Sequence, residues 1–344
     1  MNTKGCSFID AGINFEDDKV CDCCISHNDG RGLPLLIDNY NGEPIDWENL
    51  FEIKAKRIAA QKIKTIYECE NCYHLTDYEF KQDKKISEFH FSHCRSCNAK
   101  CVYCSDKQGN HGVRYDVLPV IKDLIEKGYY KSGGEATMQG GEPTLMIHFE
   151  ELVDLLASNG TSLRIHSSGI KFSPSIEKTL KNNVGKLVVS IDSSSRSTYL
   201  KIKQVDCFDL VCENIKKYAL AAENSQNLII KYIIIPGYND NPAEIKGFFD
   251  LMKSLGVETV ALDIECNYAR KYNNENLSPH IYFLIDYFKY LVGKYNFDLK
   301  SYSFLSYVLQ KRTVPTVTLF QDFHKFEKFL QGYVQADKNL DYKR

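Results

Sequence analysis

From about residue 86 onward, short apolar runs alternate with longer segments in which apolar residues recur every three or four positions. The short runs predict β-strands and the longer segments predict amphipathic helices. Six strands are predicted, over residues 86–92, 135–139, 162–166, 187–191, 228–235 and 259–264. Repeated strand and helix units of this kind predict an α/β fold with a parallel sheet, either an open barrel or a doubly wound layer.

The helical segments show the same regularity. Apolar faces at helical spacing occupy residues 117–125, 149–156, 211–222 and 245–255. Ser173 followed by Pro174 predicts the N-cap and first turn of a further helix. We therefore predict a core of six strand and helix units arranged as a partial (β/α)6 barrel similar to a TIM barrel, over residues 86–265.

The two ends of the chain have a different pattern. Residues 1–85 are rich in turns and cysteine, with one predicted helix from Trp47 to about Lys62. After residue 265, an apolar stripe runs from Ile281 to Val292, and a second helix is predicted around residues 321–330. These differences predict a small N-terminal module over residues 1–85 and a C-terminal helical extension over residues 266–344.

Composition narrows the classes of protein that this chain can be. Its 344 residues, 43% hydrophobic and 26% charged, are enough to bury a substantial core. A net charge of -2 and a pI of about 6.5 give no basic surface for nucleic acid or anionic membranes. The start of the chain does not have the pattern of a secretory signal, and no apolar run approaches the length of a membrane span. We therefore expect a cytoplasmic protein with neither nucleic acid nor membrane as a partner.

Cysteine is concentrated in the first third of the chain. Ten of the 13 cysteines lie between residues 6 and 104. In a reducing compartment, clustered thiols more often bind metals or perform chemistry than form disulfides. Cys97, Cys101 and Cys104 are the densest group, in a loop that directly follows the first predicted strand.

This loop has the spacing CxxxCxxC, with Tyr103 immediately before the last cysteine. Three thiolates leave one iron of a four-iron cluster without a protein ligand. The spacing and the aromatic residue resemble the defining motif of the radical S-adenosylmethionine (SAM) superfamily. The resemblance implies that the open iron binds the amino and carboxylate groups of SAM. It also implies cleavage of SAM to methionine and a 5'-deoxyadenosyl radical that abstracts a substrate hydrogen.

Residues after later strands extend the resemblance. Gly140, Gly141, Glu142 and Pro143 follow the second predicted strand and match the family's GGEP motif. In that motif, glycines let the backbone approach SAM, because they have no Cβ, and the turn meets its amino group. Ser168 follows the third strand, where the family often has a small polar residue near SAM.

The fourth predicted strand ends in Ser190 and Asp192, which are similar to the family's SxD. On the resemblance, both side chains lie by the ribose or carboxylate of SAM. Lys203 stands where relatives commonly have arginine, and it keeps the charge but loses the planar two-pronged donor. The turn at residues 235–240 is also similar to the family's, so that the resemblance spans residues 86–265.

The cysteines upstream of the barrel form a second candidate site. Cys69 and Cys72 have the CxxC spacing of a zinc or iron site, and Cys6 and Cys23 supply two further thiols, with Cys24 as an alternative to Cys23. The stretch resembles a twitch or SPASM auxiliary-cluster module, placed here before the barrel. That resemblance implies a second 4Fe-4S cluster that conducts electrons or stabilises the module.

Two function classes remain open from the sequence. The first is a radical SAM enzyme that acts on a peptide, a small molecule or a sugar, with a reducing partner such as flavodoxin or ferredoxin. The second is a non-enzymatic zinc-ribbon or iron-sulfur binding protein that uses Cys69, Cys72, Cys94 and Cys97. The second class leaves two thiols of the loop unused and does not explain the GGEP motif.

Overall fold

Strands and helices alternate along the chain in a computed structural model that describes residues 4–23, 35–63, 75–104, 115–271, 277–301 and 305. The strands are β1 (Lys4–Gly5), β2 (Gly12–Phe15), β3 (Val20–Cys21), β4 (Leu35–Ile37), β5 (Thr76–Asp77), β6 (Glu88–Phe91), β7 (Glu135–Met138), β8 (Ser162–Ser167), β9 (Gly185–Ser190), β10 (Leu228–Ile234), β11 (Thr259–Ile264) and β12 (Asp298–Ser301). The α-helices are α1 (Ser7–Ala11), α2 (Trp47–Lys62), α3 (Leu118–Glu126), α4 (Phe149–Ser158), α5 (Pro174–Lys181), α6 (Arg196–Lys203), α7 (Phe208–Ala221), α8 (Pro242–Ser254), α9 (Cys266–Lys271) and α10 (Pro279–Tyr295).

The main sheet runs in the order β12, β11, β10, β9, β8, β7, β6, β2, β3, β4. Every neighbouring pair from β12 to β2 is parallel, whereas β3 and β4 are antiparallel additions at one edge. The six strands predicted from the sequence are β6 to β11, and they lie side by side in chain order. Over the described residues the sheet is not closed. The predicted α/β class, with a partial barrel of parallel strands, is confirmed.

Helices pack against one face of this sheet. Leu163 and Val189 project from β8 and β9 into a core that also contains Leu152, Ile176 and Ile215 from three helices. The apolar stripes predicted for α3, α4, α7, α8 and α10 contribute buried residues to the same core. Because side chains alternate across a strand, the intervening residues project from the opposite face, which is the inner face of the partial barrel.

The predicted start of α5 and the predicted bounds of α2 are confirmed. The Ser173 Oγ accepts a hydrogen bond from the backbone N–H of Ile176 at 3.2 Å, so that Ser173 is the N-cap of α5. Helix α2 spans the predicted residues and begins at Trp47, whose Nε1 donates to Asp123 Oδ2 of α3 at 2.6 Å. Lys54, further along α2, is buried and donates to the Gly12 carbonyl at 2.8 Å. Helix α2 is therefore attached both to the barrel and to the strand region of the first residues.

The main sheet continues across residues 85 and 265. β2 pairs in parallel with β6, and β12 pairs in parallel with β11. Both added strands have four residues, too few to show a distinctive apolar pattern. The division into residues 1–85, 86–265 and 266–344 stays a prediction, with one sheet running through all three parts.

Several predicted features lie outside the described residues. They are Cys24, Cys69, Cys72 and the helix around residues 321–330. No helix in the described part of the chain combines the length and the apolar character needed to cross a membrane.

Candidate functional site

The three cysteines of the CxxxCxxC motif lie in the loop that leaves the carboxyl end of β6. Cys97 and Cys104 are exposed and Cys101 is half-buried, and all three are free thiols. Functional groups of parallel α/β folds gather at this edge of the sheet. Within the described ranges, no three histidine, cysteine or carboxylate side chains are arranged to hold a single metal ion. A cluster has a different requirement, because each thiolate binds a separate iron.

Electrostatic coupling shows that the three thiols share one environment. The pKa of Cys97 is raised to about 11, chiefly by desolvation, with further increases from Glu142, Cys101 and Cys104 and a decrease from the Ala99 backbone N–H. Desolvation also raises the pKa of Cys101, although nearby Lys203 opposes this change. Three neighbouring thiols whose thiolate forms would repel one another fit the donor set of a cluster whose irons supply the balancing positive charge.

The GGEP turn supports one side of the cysteine loop. The backbone N–H of Gly141 donates to the Cys94 carbonyl at 2.8 Å, and that of Glu142 donates to the Ser96 carbonyl at 2.7 Å. A Cβ added to Gly141 would lie 2.3 Å from the Ser96 oxygen. Gly140 has a φ of +109°, which favours glycine. The glycines are therefore required for contact with the cysteine loop, a reason that the motif alone does not give.

Glu142 joins the GGEP turn to the end of β8. Its carboxylate accepts hydrogen bonds from the hydroxyls of Thr144 at 2.8 Å and Ser167 at 2.9 Å, and from the backbone N–H of Ser168 at 2.6 Å. The side chain of Ser168 donates to Asn98 Oδ1 at 2.9 Å, inside the cysteine motif. Glu142 is 1% exposed, so its carboxylate acts within the protein, while Pro143 is buried beside it in a short 3₁₀ turn.

The other side of the loop rests on the end of α6. Backbone N–H groups of Lys100 and Val102 donate to the carbonyls of Lys203 and Ile202, each at 2.9 Å. Val102 and Tyr103 also pack on a small apolar cluster formed by Ile202, Ile233 and Ile235. The cysteine loop is thus held between the GGEP turn and α6.

Asp192 and Lys203 form a buried ion pair next to this contact. Lys203 Nζ lies 2.5 Å from Asp192 Oδ2, and the two side chains are 3% and 0% exposed. The Tyr103 hydroxyl donates to the same carboxylate oxygen at 2.7 Å and accepts from Lys203 at 2.8 Å. Ser190 is half-buried at the end of β9, on the inner face of the barrel. The sequence motifs do not indicate that Asp192, Lys203 and Tyr103 bind one another.

The remaining thiols near the site are placed differently. Cys94 is buried, and its thiol donates to the carbonyls of Glu142 at 3.5 Å and Ser96 at 3.7 Å. These contacts agree with a packed thiol. In the N-terminal region, Cys6 precedes α1 and is 9% exposed, and Cys23 is half-buried after β3. Their predicted partners lie outside the described residues, so the auxiliary site stays a prediction.

The inner face of the barrel below the loop carries paired charges. Arg164 donates twice to the Glu135 carboxylate at 3.0 Å, and Lys231 pairs with Asp263 at 2.9 Å. His166 lies among them, and burial together with the positive charges lowers its pKa to about 3. This wall therefore offers hydrogen-bonding groups and balanced charges at neutral pH.

Comparisons with known proteins agree with the motifs. Residues 91–252 match the family model described as the radical SAM superfamily. GTP 3',8-cyclase of Clostridium perfringens is 23% identical over 196 residues, covering 50% of this chain and 57% of that protein. A protein named "Probable GTP 3',8-cyclase" from Saccharolobus islandicus is 29% identical over 172 residues, covering 48% and 53%.

The chain spans about half the length of these curated relatives. Among solved structures, Streptococcus suis SuiB bound to precursor peptide SuiA aligns with a TM-score of 0.49 at 13% identity, covering 81% of this chain and 60% of SuiB.

Proposed function

This chain belongs to the radical SAM superfamily through residues 91–252, and from that premise we propose that it reductively cleaves SAM at a 4Fe-4S cluster bound by Cys97, Cys101 and Cys104. The observation that carries this proposal is the cysteine loop, in which three neighbouring free thiols lie at the carboxyl edge of a parallel sheet. When bound, the cluster supplies the electron that cleaves SAM to methionine and the 5'-deoxyadenosyl radical that takes a hydrogen atom from the substrate.

The residues around the loop hold SAM in this proposal. In this proposal, the backbone of the GGEP turn and the side chains of Ser168 and Ser190 line the SAM site. The side chain of Ser190 is half-buried and lies level with Lys231 in the strand register. Its hydroxyl is therefore the polar group that we assign to direct contact with SAM. Glu142 acts by fixing the GGEP turn.

The substrate binds against the inner wall of the barrel, where the radical is generated. The relatives are named for a reaction of GTP. In this chain, Arg164 and Lys231 are each paired with a carboxylate. Paired cations are poorly suited to a triphosphate, which requires unpaired positive charge. This observation favours a peptide or a small polar molecule, including a sugar, over GTP.

An electron must reach the cluster from outside, and we propose flavodoxin or ferredoxin as the donor class. The N-terminal cysteines Cys6, Cys23, Cys69 and Cys72 are proposed to bind a second 4Fe-4S cluster. A fully coordinated cluster has no open iron, so its role would be electron transfer or stabilisation of the N-terminal strands.

Anaerobic reconstitution tests the proposal directly. We expect about eight irons and eight sulfides per chain from two four-iron clusters. Addition of SAM and dithionite should then produce 5'-deoxyadenosine, measured by liquid chromatography and mass spectrometry. Stoichiometric zinc without SAM cleavage would instead support the binding-protein alternative.

Two cysteine variants give the matched comparison. Cys101→Ala removes one proposed ligand and should abolish 5'-deoxyadenosine formation. Cys94→Ala removes a buried core thiol whose hydrogen bonds among the described residues go to backbone carbonyls, so cleavage should persist with a loss of stability of about 1 kcal/mol. The opposite pattern would show that a different set of thiols binds the cluster.

A further inference from the structure

We infer that Lys203, Asp192 and the hydroxyl of Tyr103 form a buried latch that positions the cysteine loop, and that Lys203 acts through this loop without touching SAM. The inference rests on the proposed function, because positioning the cysteine loop affects the reaction only if that loop binds the cluster. It changes the role that the motif resemblance gives to Asp192 and Lys203.

The three side chains bind one another at a single point. Asp192 Oδ2 accepts from Lys203 Nζ at 2.5 Å and from the Tyr103 hydroxyl at 2.7 Å, while Lys203 Nζ also donates to that hydroxyl at 2.8 Å. Each pair of groups is therefore in contact. Tyr103 lies between the second and third cysteines of the motif, so the latch reaches the loop where two proposed ligands are closest in sequence.

Both carboxylate oxygens and the backbone carbonyl of Asp192 accept hydrogen bonds, so this residue is a fixed anchor for the latch. Its Oδ1 accepts from the Ile233 backbone N–H at 2.8 Å, and its own carbonyl accepts from Asn239 Nδ2 at 2.8 Å. The residue has a φ of +57°, an uncommon conformation that such surrounding contacts can maintain. The anchor therefore belongs to the ends of β9 and β10.

The burial of Lys203 and Asp192 indicates that their charges neutralise each other and do not bind a ligand. The side chains of Lys203 and Asp192 are 3% and 0% exposed. A buried charge that loses its partner is strongly destabilising, whereas a buried pair with further hydrogen bonds is tolerated. Using Lys203 to bind the SAM carboxylate would leave Asp192 buried beside a neutral phenol. The same helix end also receives the backbone N–H groups of Lys100 and Val102, so the latch and the backbone contacts hold the same stretch.

Lysine fits this position better than the arginine common in relatives. An ammonium is a compact point charge, while a guanidinium is a larger planar fork. The ammonium here is close to both the carboxylate and the phenol oxygen. A guanidinium would have to displace Tyr103 and the loop with it. If Lys203 instead bound the carboxylate of SAM, arginine would serve equally well.

Two variants and one control distinguish these roles. Tyr103→Phe keeps the ring and removes the hydroxyl, which also hydrogen-bonds to the Cys101 side chain. Lys203→Arg keeps both the positive charge and the Tyr103 hydroxyl, so it tests the latch without removing that contact to Cys101. The control is Tyr199→Phe, which removes another buried phenol oxygen from the same helix as Lys203. Among the described residues, the Tyr199 hydroxyl makes no hydrogen bond.

The latch predicts a defect in catalysis with little change in SAM binding. Because misplacement of reacting groups by about 1 Å can cost up to about 100-fold in rate, we expect Tyr103→Phe and Lys203→Arg to lower kcat for 5'-deoxyadenosine formation by at least about tenfold. Their KM for SAM should change by less than about threefold. Iron content should stay normal, and the electron paramagnetic resonance spectrum of the reduced cluster with SAM should change. Tyr199→Phe should match the wild type.

Hydrogen exchange measures the latch independently of any activity. Without the cluster, peptides covering residues 98–104 should exchange about tenfold faster in Tyr103→Phe than in the wild type or Tyr199→Phe, because a hydrogen bond to a charged group is lost. Wild-type exchange in Tyr103→Phe would overturn the latch, as would full activity in Lys203→Arg. If the wild type produced no 5'-deoxyadenosine, the proposed function would fail, while the exchange result would still decide the latch. Should Lys203→Arg not fold, Tyr103→Phe carries the test alone.

Discussion

At the scale of single residues, Gly141 sets how closely the GGEP turn approaches the cysteine loop. Its backbone N–H donates to the Cys94 carbonyl, and the place of a side chain is already filled by the Ser96 oxygen. The contact joins the end of β7 to the loop after β6. A single hydrogen atom in place of a methyl group therefore determines the position of the proposed ligands.

Replacing Gly141 with alanine should disturb the loop. The added Cβ would lie 2.3 Å from a backbone oxygen, so the backbone must move. We expect Gly141→Ala to lower the free energy of unfolding by about 1–3 kcal/mol, the usual cost of overpacking, and to reduce iron incorporation. Gly293→Ala in α10 is the control, because a Cβ there meets no atom within 4 Å and alanine favours helix. Equal thermal melting of the two variants would contradict this explanation of the motif.

The residues of the site were only partly predictable from the sequence. The fixed spacing of Cys97, Cys101 and Cys104 identifies them as a group, because the three proposed cluster ligands lie within one short stretch of sequence. The partners of Asp192 are not local: Tyr103 is 89 positions away. Neither the spacing of motif residues nor hydrophobic periodicity can predict a contact between residues so far apart in sequence. The only sequence signal for this contact is that the aromatic residue at position 103 is a tyrosine, whose hydroxyl can donate to a carboxylate.

At the scale of secondary structure elements, α2 attaches the first residues to the barrel in addition to the parallel pairing of β2 with β6. Its Trp47 is 2% exposed and donates to Asp123 on α3. That hydrogen bond is the first cause of the lowered pKa of Asp123. The two helices are far apart in sequence, so this contact stabilises the folded chain over a long separation.

Removing the carboxylate acceptor should weaken this attachment. Asp123→Ala leaves the buried indole N–H of Trp47 without its partner, and we expect a loss of about 1–2 kcal/mol in the free energy of unfolding. Asp154→Ala on α4 is the control, because Asp154 pairs only with the exposed Lys178 among described residues. Such an exposed pair contributes less than about 1 kcal/mol. Urea denaturation measures both, and equal losses would show that the indole contact contributes nothing.

Strands and helices were predicted where their pattern was long. β10 and β11 are almost entirely buried, and α5 has both an N-cap and a proline in its first turn. β2 was not predicted, because four residues give too few alternations. The bounds of α6 were not predicted, because its segment RSTYLKIK has few apolar positions. Their place in the fold is set by tertiary contacts, which override weak local preference.

At the scale of the whole molecule, His90 and His93 are buried in the folded protein and His166 is half-buried. Desolvation lowers the pKa of His90 and His93 to about 4, and that of His166 to about 3. Unfolded histidine has a pKa near 6.5. Below that value the unfolded chain binds more protons than the folded chain, so stability falls as the pH decreases from about 6.5 towards 4. The fold is therefore expected to lose stability in mild acid at several positions together.

His93 allows this linkage to be measured at one position. Its ring is 1% exposed and stacks on Tyr115 with centroids 4.9 Å apart. Its Nδ1 has no hydrogen-bond partner among the described residues. Phenylalanine preserves the stacking and cannot bind a proton. His93→Phe should therefore be at least as stable as the wild type at pH 7.5.

The difference between the two proteins should then increase in acid. One histidine that is neutral when folded and protonated when unfolded costs the wild type about 1 kcal/mol between pH 7.5 and pH 5.5. Urea denaturation of both proteins at the two pH values, without the cluster, gives the four free energies needed. Other titrating groups are shared and cancel in the comparison. A constant difference at both pH values would mean that the pKa of His93 is the same in the folded and the unfolded chain, and that burial does not lower it.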